Sequence, residues 1–286
     1  MCQLWDLSAS EELSQKRTVI AQLADLAPLH SVDFSPLQFR HRMDFVIRDG
    51  QLGLPARTDT VPDATSEKGA DTAANPNSRA VFAATACLIT SARLQATYLK
   101  LADWTWPLTK GSLRLRESPE GQVGAWLDLA NEDLFKLLED EFFLLRLLEI
   151  FPNGNLEVGQ RRKILKFNAN QKSKTHRFEL AVERPGLWWQ TWVPDGEDWR
   201  AVPLRLPIGA FSQPSLSSQR EMIRICTEIW QRTSLTTYLE WGAGCGNFAV
   251  AAAHHFTTGL IVETDPIVTP ALEENLRPQS HFRRSS

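Results

Sequence analysis

The chain has 286 residues, 43% of them hydrophobic, and a formal net charge of −3. This length is enough for two domains, no apolar run approaches the ~18–20 residues of a membrane-spanning helix, and the N-terminus lacks the basic-then-apolar pattern of a secretory signal. Four scattered cysteines indicate no disulfide framework. We therefore expect a cytoplasmic, monomeric protein without a membrane partner. The slightly acidic total argues against indiscriminate nucleic-acid binding but allows a local basic face.

The first hundred residues predict one helix, one hairpin and one long loop. Apolar residues at helical spacing predict a helix over 11–26. Alternating apolar and polar residues over 38–54 predict a hairpin that turns at Asp49 and Gly50. Residues 57–79 are polar and rich in turn formers, which is typical of a loop or a partly disordered insertion.

The next predicted elements alternate between helix and strand. Helices are predicted over 82–104, which contains Cys87, and over 131–151. Asn131 is a good capping residue for the second helix, and acids occupy its first turn. A strand is predicted between them over 122–129. A further helix is predicted over 218–232.

Two basic stretches interrupt this acidic chain. Arg40 and Arg42 lie on the first strand of the predicted hairpin, and residues 156–177 contain the run Arg161, Arg162 and Lys163. Such side chains suit contacts with RNA phosphates, whereas the alternative is a solvated surface. Trp188, Trp189, Trp192 and Trp199 follow; they suit core packing, the commoner use of tryptophan, or stacking on bases.

Residues 238–263 carry the pattern strand, glycine turn, helix, strand, acid. The turn contains Gly242, Gly244 and Gly246, a second short strand is predicted over 259–262, and Glu263 ends it. In doubly wound sheets a ligand lies at the carboxyl ends of such strands, glycines let the backbone approach it, and an acid accepts hydrogen bonds from a ribose. The spacing Gly-x-Gly-x-Gly-Asn and an acid seventeen residues beyond Gly246 are typical of a class I S-adenosylmethionine (SAM) methyltransferase.

Taken in order, these residues resemble the RNA 5-methyluridine methyltransferases, which use SAM to methylate C5 of uracil in tRNA or ribosomal RNA. The four matching segments are 2–4 with Lys16 and Arg17, 39–42, 209–214 and 239–248. The resemblance implies an α/β protein in three parts. A remnant of the cysteine-cluster segment spans 1–30, an α+β middle domain that binds RNA spans 31–207, and the first part of a class I, Rossmann-like methyltransferase domain spans 208–286.

The resemblance also implies roles for particular residues. Gln213, Gly242, Asn247 and Glu263 are expected to bind SAM, with Glu263 on the ribose. Many members hold a [4Fe-4S] cluster on four cysteines, of which Cys2 matches the third and Cys87 fits the fourth. The first two would precede Met1, and two thiolates do not make a four-cysteine site. A small buried residue is therefore the stronger interpretation of Cys87.

No catalytic residue is assigned, because the family's nucleophilic cysteine lies far downstream of the glycine turn. Cys245 lies inside that turn and Cys226 on the helix before it. The resemblance thus implies a uracil-C5 methyltransferase of which this chain is an incomplete, inactive part. A non-catalytic RNA-binding remnant and a SAM methyltransferase of another substrate stay open as alternatives. After Glu263 we expect one helix over 267–277, and we do not expect the tail 281–286 to start a third strand.

Two spatial predictions follow from the assigned roles. Gln213 and Glu263 should face one cleft together with the turn 242–247. Arg40, Arg42, Arg161, Arg162 and Lys163 should form one positively charged surface.

Overall fold

The computed structural model describes residues 37–55, 81–82, 87–152, 154–160, 163–169, 178–196 and 198–285, together with six residues between 8 and 18. The predicted helix over 11–26 lies largely outside the described residues, and the predicted loop over 57–79 lies wholly outside them.

A tight hairpin starts the first sheet. Strands β1 (Arg42–Arg48) and β2 (Gln51–Pro55) pair antiparallel with Arg48 opposite Gln51. Between them, Asp49 and Gly50 have positive φ angles of 47° and 79°. A two-residue turn with both φ angles positive matches the right-handed twist of the flanking strands. The predicted hairpin is confirmed.

The hairpin belongs to an eight-stranded sheet in the order β3-β2-β1-β4-β5-β6-β7-β8. Of the neighbouring pairs, β5 and β6 are parallel and the others antiparallel. The remaining strands are β3 (Val81–Phe82), β4 (Lys110–Glu117), β5 (Val123–Leu129), β6 (Leu156–Gln160), β7 (Lys163–Ala169) and β8 (Phe178–Val182). The strand predicted over 122–129 is therefore confirmed as β5.

Three helices cover one face of this sheet: α1 (Ala92–Ala102), α2 (Asn131–Glu139) and α3 (Glu141–Ile150). The single helix predicted over 131–151 is wrong, because the chain breaks at Asp140. The Asp140 side chain accepts a hydrogen bond from the Phe143 amide at 3.0 Å and caps α3. Aspartate favours such a cap over a helix interior. Asn131 does not cap α2; it is the first helical residue, and Ala130 precedes it without a side-chain cap bond.

The helix predicted over 82–104 is also too long, because its first part pairs with the segment before β1. The amides of Gln38 and Arg40 donate to the carbonyls of Leu88 and Ile89 at 2.9 and 2.8 Å. Helix α1 begins only after Ser91, whose hydroxyl accepts from the Leu94 amide at 3.2 Å. Cys87 thus lies before the helix, not on it, and it is half-buried. Tertiary pairing here overrides a helical pattern.

A second, parallel sheet in the order β11-β12-β13 contains the glycine turn. Its elements are α4 (Leu216–Gln231), β11 (Thr237–Trp241), α5 (Asn247–Ala252), β12 (Thr258–Val262), α6 (Thr269–Leu276) and β13 (Phe282–Arg284). The tail was not expected to form a third strand, and this is wrong: Phe282 to Arg284 pair with Gly259 to Ile261. Gly259 makes this pairing possible, because a Cβ there would lie 2.5 Å from the Phe282 ring.

A separate hairpin packs against the helices that accompany this second sheet. Strands β9 (Leu187–Asp195) and β10 (Asp198–Arg205) pair antiparallel. Trp188, Trp189 and Trp192 are at most 9% exposed and share one core with the helices around the glycine turn. Packing is therefore the use that the structure shows for these three indoles. The domain boundary at 207 stays a prediction, since the hairpin before it shares this core.

The opposite face of the parallel sheet is exposed. Leu239, Trp241 and Leu260 are 59%, 79% and 46% exposed, and they lie on the same side because Leu239 pairs with Leu260 in register. Within the part of the chain that the structure describes, no helix combines the length and the apolar character needed to cross a membrane.

Candidate cofactor and RNA site

The glycine turn after β11 is shaped by its three glycines. Gly242, Gly244 and Gly246 have φ angles of 71°, 58° and 88°, which disfavour other residues. A Cβ on Gly242 or Gly244 would meet nothing within 4 Å, whereas one on Gly246 would lie 2.9 Å from Leu272 of α6. The first two glycines therefore leave open space beside the backbone, and the third permits close helix packing.

Glu263 lies directly against this turn. Its Oε2 accepts a hydrogen bond from the Gly244 amide at 2.6 Å, and its Oε1 accepts from the amides of Thr264 and Asp265, both at 2.7 Å. These bonds fix the carboxylate at the carboxyl end of β12. A carboxylate has about four acceptor positions, so Glu263 retains capacity for a ligand hydroxyl. The structure brings this predicted site residue together with the predicted turn.

Asn247 is held by residues that the sequence did not single out. Its Oδ1 accepts from Gln219 Nε2 at 2.7 Å, and its carbonyl accepts from the Thr191 hydroxyl at 2.7 Å. Gln219 is fully buried and also donates to the Gln190 carbonyl at 3.2 Å. The sequence pattern could have identified Gln219 as a buried residue. It lies four residues before Ile223, about one helical turn away, and both lie on the buried face of α4.

The segment 206–214, which we call the connecting segment, leads into α4 and is fastened to the first sheet. The Arg42 guanidinium donates to the Ser212 carbonyl at 3.1 Å, and the His41 amide donates to the Pro214 carbonyl at 2.7 Å. Gln213 lies between these two anchors. Two of the matching segments, 39–42 and 209–214, are therefore in contact.

A cleft of about 530 Å³, which we call the arginine cleft, lies where the connecting segment meets β1, β4 and the loop after β12. Phe211 and Asp265 line it, and each is two residues from a predicted cofactor residue, Gln213 and Glu263. Neither of those residues, nor the glycine turn, is among the described residues that line it. A single cleft shared by Gln213, Glu263 and the turn stays a prediction.

Three arginines enter the arginine cleft from neighbouring strands: Arg42 from β1, and Arg114 and Arg116 from β4. The Arg42 guanidinium lies 5.0 Å from the centre of the Phe211 ring, which is 67% exposed. Arg114 pairs with Asp128 at 2.7 Å and also donates to the Gly209 carbonyl at 2.9 Å. The sequence did not single out Arg114 or Arg116, because only strand pairing brings them beside Arg42.

Among the described residues, Asp44 and Asp265 are the two acids that line this cleft, and the arginines stabilise the charge of Asp44. Arg116 bonds it at 2.8 Å and Arg42 approaches it at 3.4 Å. Burial opposes ionisation of Asp44, yet the guanidinium groups of Arg116, Arg42 and Arg114 hold its pKa below the usual value. Burial also lowers the pKa of Arg116 to about 10, despite the attraction of Asp44. At neutral pH both groups are charged.

Of the remaining predicted RNA contacts, Arg40 and Lys163 do not line this cleft. Arg40 precedes β1, and its side chain donates to the Arg42 carbonyl at 3.0 Å. Lys163 is exposed at the start of β7, four strands from β1 in the sheet order. At ~4.8 Å per strand this is roughly 19 Å. Arg161 and Arg162 lie outside the described residues, so the single surface expected for these residues stays a prediction.

The cysteines do not form a metal site in the part of the chain that the structure covers. Cys2 lies outside the described residues, Cys87 is free, and no group of three or more His, Cys, Asp or Glu side chains there could hold a metal ion. The described residues therefore do not fit a four-cysteine iron–sulfur cluster. Burial raises the pKa of the Cys245 thiol to about 12 and also raises that of Cys226. Burial thus favours the protonated thiol at both positions, and the expectation that neither is the nucleophile stays a prediction.

Glu240 of β11 is a titratable group beside the turn that the sequence reasoning did not assign. Burial raises its pKa to about 7, although the Tyr238 hydroxyl donates to its Oε2 at 3.1 Å. Glu240 lies one residue before Trp241 at the end of the strand that leads into the glycine turn. This position in the sequence could have indicated that it belongs to the site. A carboxyl group with this pKa changes charge near physiological pH.

Replacing Glu240 by Gln should change how stability depends on pH. Because the folded pKa is above the unfolded value of 4.5, Glu240 contributes stability below about pH 4.5 and loses it as pH rises through about 7. Chemical denaturation should show Glu240→Gln more stable than the natural chain at pH 8, by about 3 kcal/mol, with the difference vanishing below the unfolded pKa of 4.5. A difference that is constant across this range would contradict the assignment of the pKa.

Comparison with known proteins agrees with the sequence motifs. No family model matches the chain. An uncharacterized RNA methyltransferase of Bdellovibrio bacteriovorus is 30% identical over 258 residues, which are 90% of this chain and 58% of that protein. The chain thus spans less than two thirds of the length of this relative.

The fold of this chain is also similar to that of a solved structure. The crystal structure of Pyrococcus abyssi tRNA (uracil-54, C5)-methyltransferase in complex with S-adenosyl-L-homocysteine superposes with a TM-score of 0.56 at 14% identity, over 100% of this chain and 65% of that chain. At this identity the likeness establishes the fold. The chain accordingly has the α/β fold of a class I SAM-dependent methyltransferase, and by sequence it is similar to a protein named as an RNA methyltransferase.

Proposed function

We propose that this chain forms the RNA-binding part and the first part of the cofactor site of a SAM-dependent RNA methyltransferase that modifies C5 of uracil. The observation that carries the proposal is the arginine cleft. It joins the Arg42 strand, the connecting segment and the loop beside Glu263 in one place. Support for RNA as the substrate comes from the Bdellovibrio relative, and support for uracil C5 comes from the name of the Pyrococcus enzyme.

The cofactor part of the proposal rests on the turn and its acid. The space beside Gly242 and Gly244 lets a ligand lie against the backbone. Glu263 is held in place with acceptor capacity left for a ribose hydroxyl. Asn247 is fixed by Gln219 at the start of α5, so we assign it to shaping the turn at the methionine end. Gln213 would reach the cofactor from the connecting segment. When bound, SAM supplies an electrophilic methyl group.

The proposal that this chain binds RNA rests on the positive charge of the arginine cleft and on the exposed ring of Phe211. Arg42 and Arg114 offset the phosphates of a bound strand, while Asp44 and Asp128 fix their guanidinium planes. Arg116 is buried and holds Asp44 in place. Phe211 offers an exposed aromatic face beneath Arg42, on which an unstacked base can lie. In the proposed chemistry C5 of uracil becomes nucleophilic when a thiolate adds to C6, and no residue described here is assigned that role.

Replacing Glu263 by Ala should weaken SAM binding by about tenfold or more, because a ribose hydroxyl loses its charged acceptor. Calorimetric titration of the purified chain with SAM and with S-adenosylhomocysteine measures this. Glu273→Ala is the matched control, since Glu273 is a half-exposed carboxylate on α6 that pairs with Arg284. Equal affinity in the two variants would remove Glu263 from the cofactor site.

The base specificity needs a separate measurement. Unmodified tRNA and ribosomal RNA are incubated with the protein and methyl-labelled SAM, and the digested nucleosides are separated. Label in 5-methyluridine would support uracil C5 as the target and contradict the expectation that this chain is an inactive part of the enzyme, whereas label in another nucleoside would overturn the uracil-C5 proposal. RNA binding without labelled product is the result expected of a chain in which no nucleophilic cysteine is assigned.

A further inference from the structure

A second cleft of about 380 Å³, which we call the tryptophan cleft, lies between the β9–β10 hairpin and the first turns of α4. Trp192 and Trp199 line it from the hairpin, and Leu216, Arg220 and Arg224 line it from α4. In the antiparallel pairing, Trp199 lies opposite Pro194, which is two residues from Trp192 on the neighbouring strand. Side chains two residues apart share a face of a strand, so the indoles of Trp192 and Trp199 lie on the same face of the hairpin. None of the motifs that indicated the proposed function lies in this cleft.

The two indoles differ in what they offer a ligand. Trp192 is 9% exposed and belongs to the core, as do Trp188 and Trp189. Trp199 packs against the same core but is only half-buried. It is therefore the tryptophan of this segment with ring surface left for a flat partner. Stacking of a base on an aromatic side chain is worth ~1–3 kcal/mol and does not depend on which base it is.

The two arginines of the cleft also differ. Arg224 is neutralised by Glu221 and Glu228, with Glu221 Oε1 at 2.5 Å. For Arg220 no carboxylate lies within ion-pairing distance among the described residues, and its guanidinium lies 6.0 Å from the centre of the Trp192 ring. The cleft thus places an exposed cation next to an aromatic surface. A nucleotide complements this pair, because its base stacks and its phosphate takes the charge.

The tryptophan cleft is connected to the cofactor turn through one side chain. Gln219, next to Arg220 in α4, donates to the carbonyl of Gln190 in the cleft wall and to Oδ1 of Asn247 beside the turn. The hydroxyl of Thr191 bonds the Asn247 carbonyl from the same strand. An RNA strand lying on Trp199 would therefore run close to the methyltransferase site.

We infer that the tryptophan cleft binds a nucleotide of single-stranded RNA, stacking its base on Trp199 and pairing its phosphate with Arg220. The inference rests on the proposed function, since it takes RNA as the substrate. It adds a contact outside the arginine cleft that anchors the strand without reading its sequence. Removing it should weaken RNA binding and leave SAM binding unchanged.

Fluorescence anisotropy of a labelled ten-nucleotide oligouridylate tests this on the full chain. Trp199→Leu, which retains apolar packing, should weaken binding about tenfold. Arg220→Gln, at an exposed position, should lower the slope of log K against log salt by about 0.7. Arg232→Gln, at the exposed far end of the same helix, is the matched control and should bind as the natural chain does. Near-ultraviolet circular dichroism verifies that Trp199→Leu is folded.

Cross-linking and the variant Arg42→Gln in the arginine cleft show which of the two clefts accounts for a loss of RNA affinity. RNA containing 4-thiouridine should cross-link to peptides that contain Trp199 or Arg220. If cross-links fall only near Arg42 and Phe211, and Arg42→Gln alone weakens binding, the tryptophan-cleft inference is wrong and the proposed function stands. If the natural chain binds no RNA, the proposed function itself is wrong.

Discussion

Replacing Gly209 by Ala should lower the free energy of unfolding by about 3 kcal/mol, the upper end of what overpacking costs. A Cβ at this position would lie 2.0 Å from the indole of Trp126, with further ring atoms at 2.3 and 2.4 Å. Trp126 is 2% exposed and its Nε1 donates to Asp128 at 2.9 Å, so the ring cannot move away without breaking that bond. The connecting segment would have to shift instead.

Urea denaturation followed by tryptophan fluorescence measures the effect. Gly186→Ala is the matched control: a Cβ there meets nothing within 4 Å, so we expect a change below about 0.5 kcal/mol. Because Gly209 also lines the arginine cleft, the variant should bind RNA less well even where it is folded. If both variants unfolded at the same urea concentration, close contact between Gly209 and Trp126 would be ruled out.

Replacing Glu157 by Ala should cost about 3 kcal/mol or more, the range found when one partner of a buried charged pair is removed. Glu157 is 1% exposed, and its Oε2 accepts from the Ile208 amide at 2.8 Å while its Oε1 lies 3.5 Å from Lys166 Nζ. Burial raises the pKa of this carboxyl, which Lys166 and the Ile208 amide oppose. Without the side chain, a buried amide of the connecting segment has lost its acceptor.

Glu157→Gln separates the hydrogen bond from the charge. The amide oxygen of Gln still accepts from Ile208, so we expect this variant to lose only about 1 kcal/mol, and Lys166 is partly exposed and can turn to water. Thermal and urea unfolding of both variants at pH 7 make the comparison. Equal losses in Ala and Gln variants would mean that the charge, and not the bond to the connecting segment, stabilises this junction.

The sequence by itself determined the features that depend on neighbouring residues. Asp49 and Gly50 fix the first hairpin, because only a two-residue turn with positive φ joins these strands. The glycine turn and Glu263 are separated by one helix and one strand, and so short a βαβ unit has a single right-handed way to close. The hydrogen bond from Gly244 to Glu263 is the direct result. The order of the motifs also indicated a similarity to RNA methyltransferases, and a protein of that name is 30% identical to this chain.

Tertiary structure alone decided which distant residues share a site. Arg114 and Arg116 reach Arg42 because β4 pairs with β1 about seventy residues along the chain, a register that local patterns do not contain. The break at Asp140 and the late start of α1 arise because capping and pairing with residues 38–40 outweigh helix propensity. The third strand at 282–284 depends on pairing with β12, which short sequences cannot signal. Long-range contacts of this kind are selected by burial of the whole core, so no single segment encodes them.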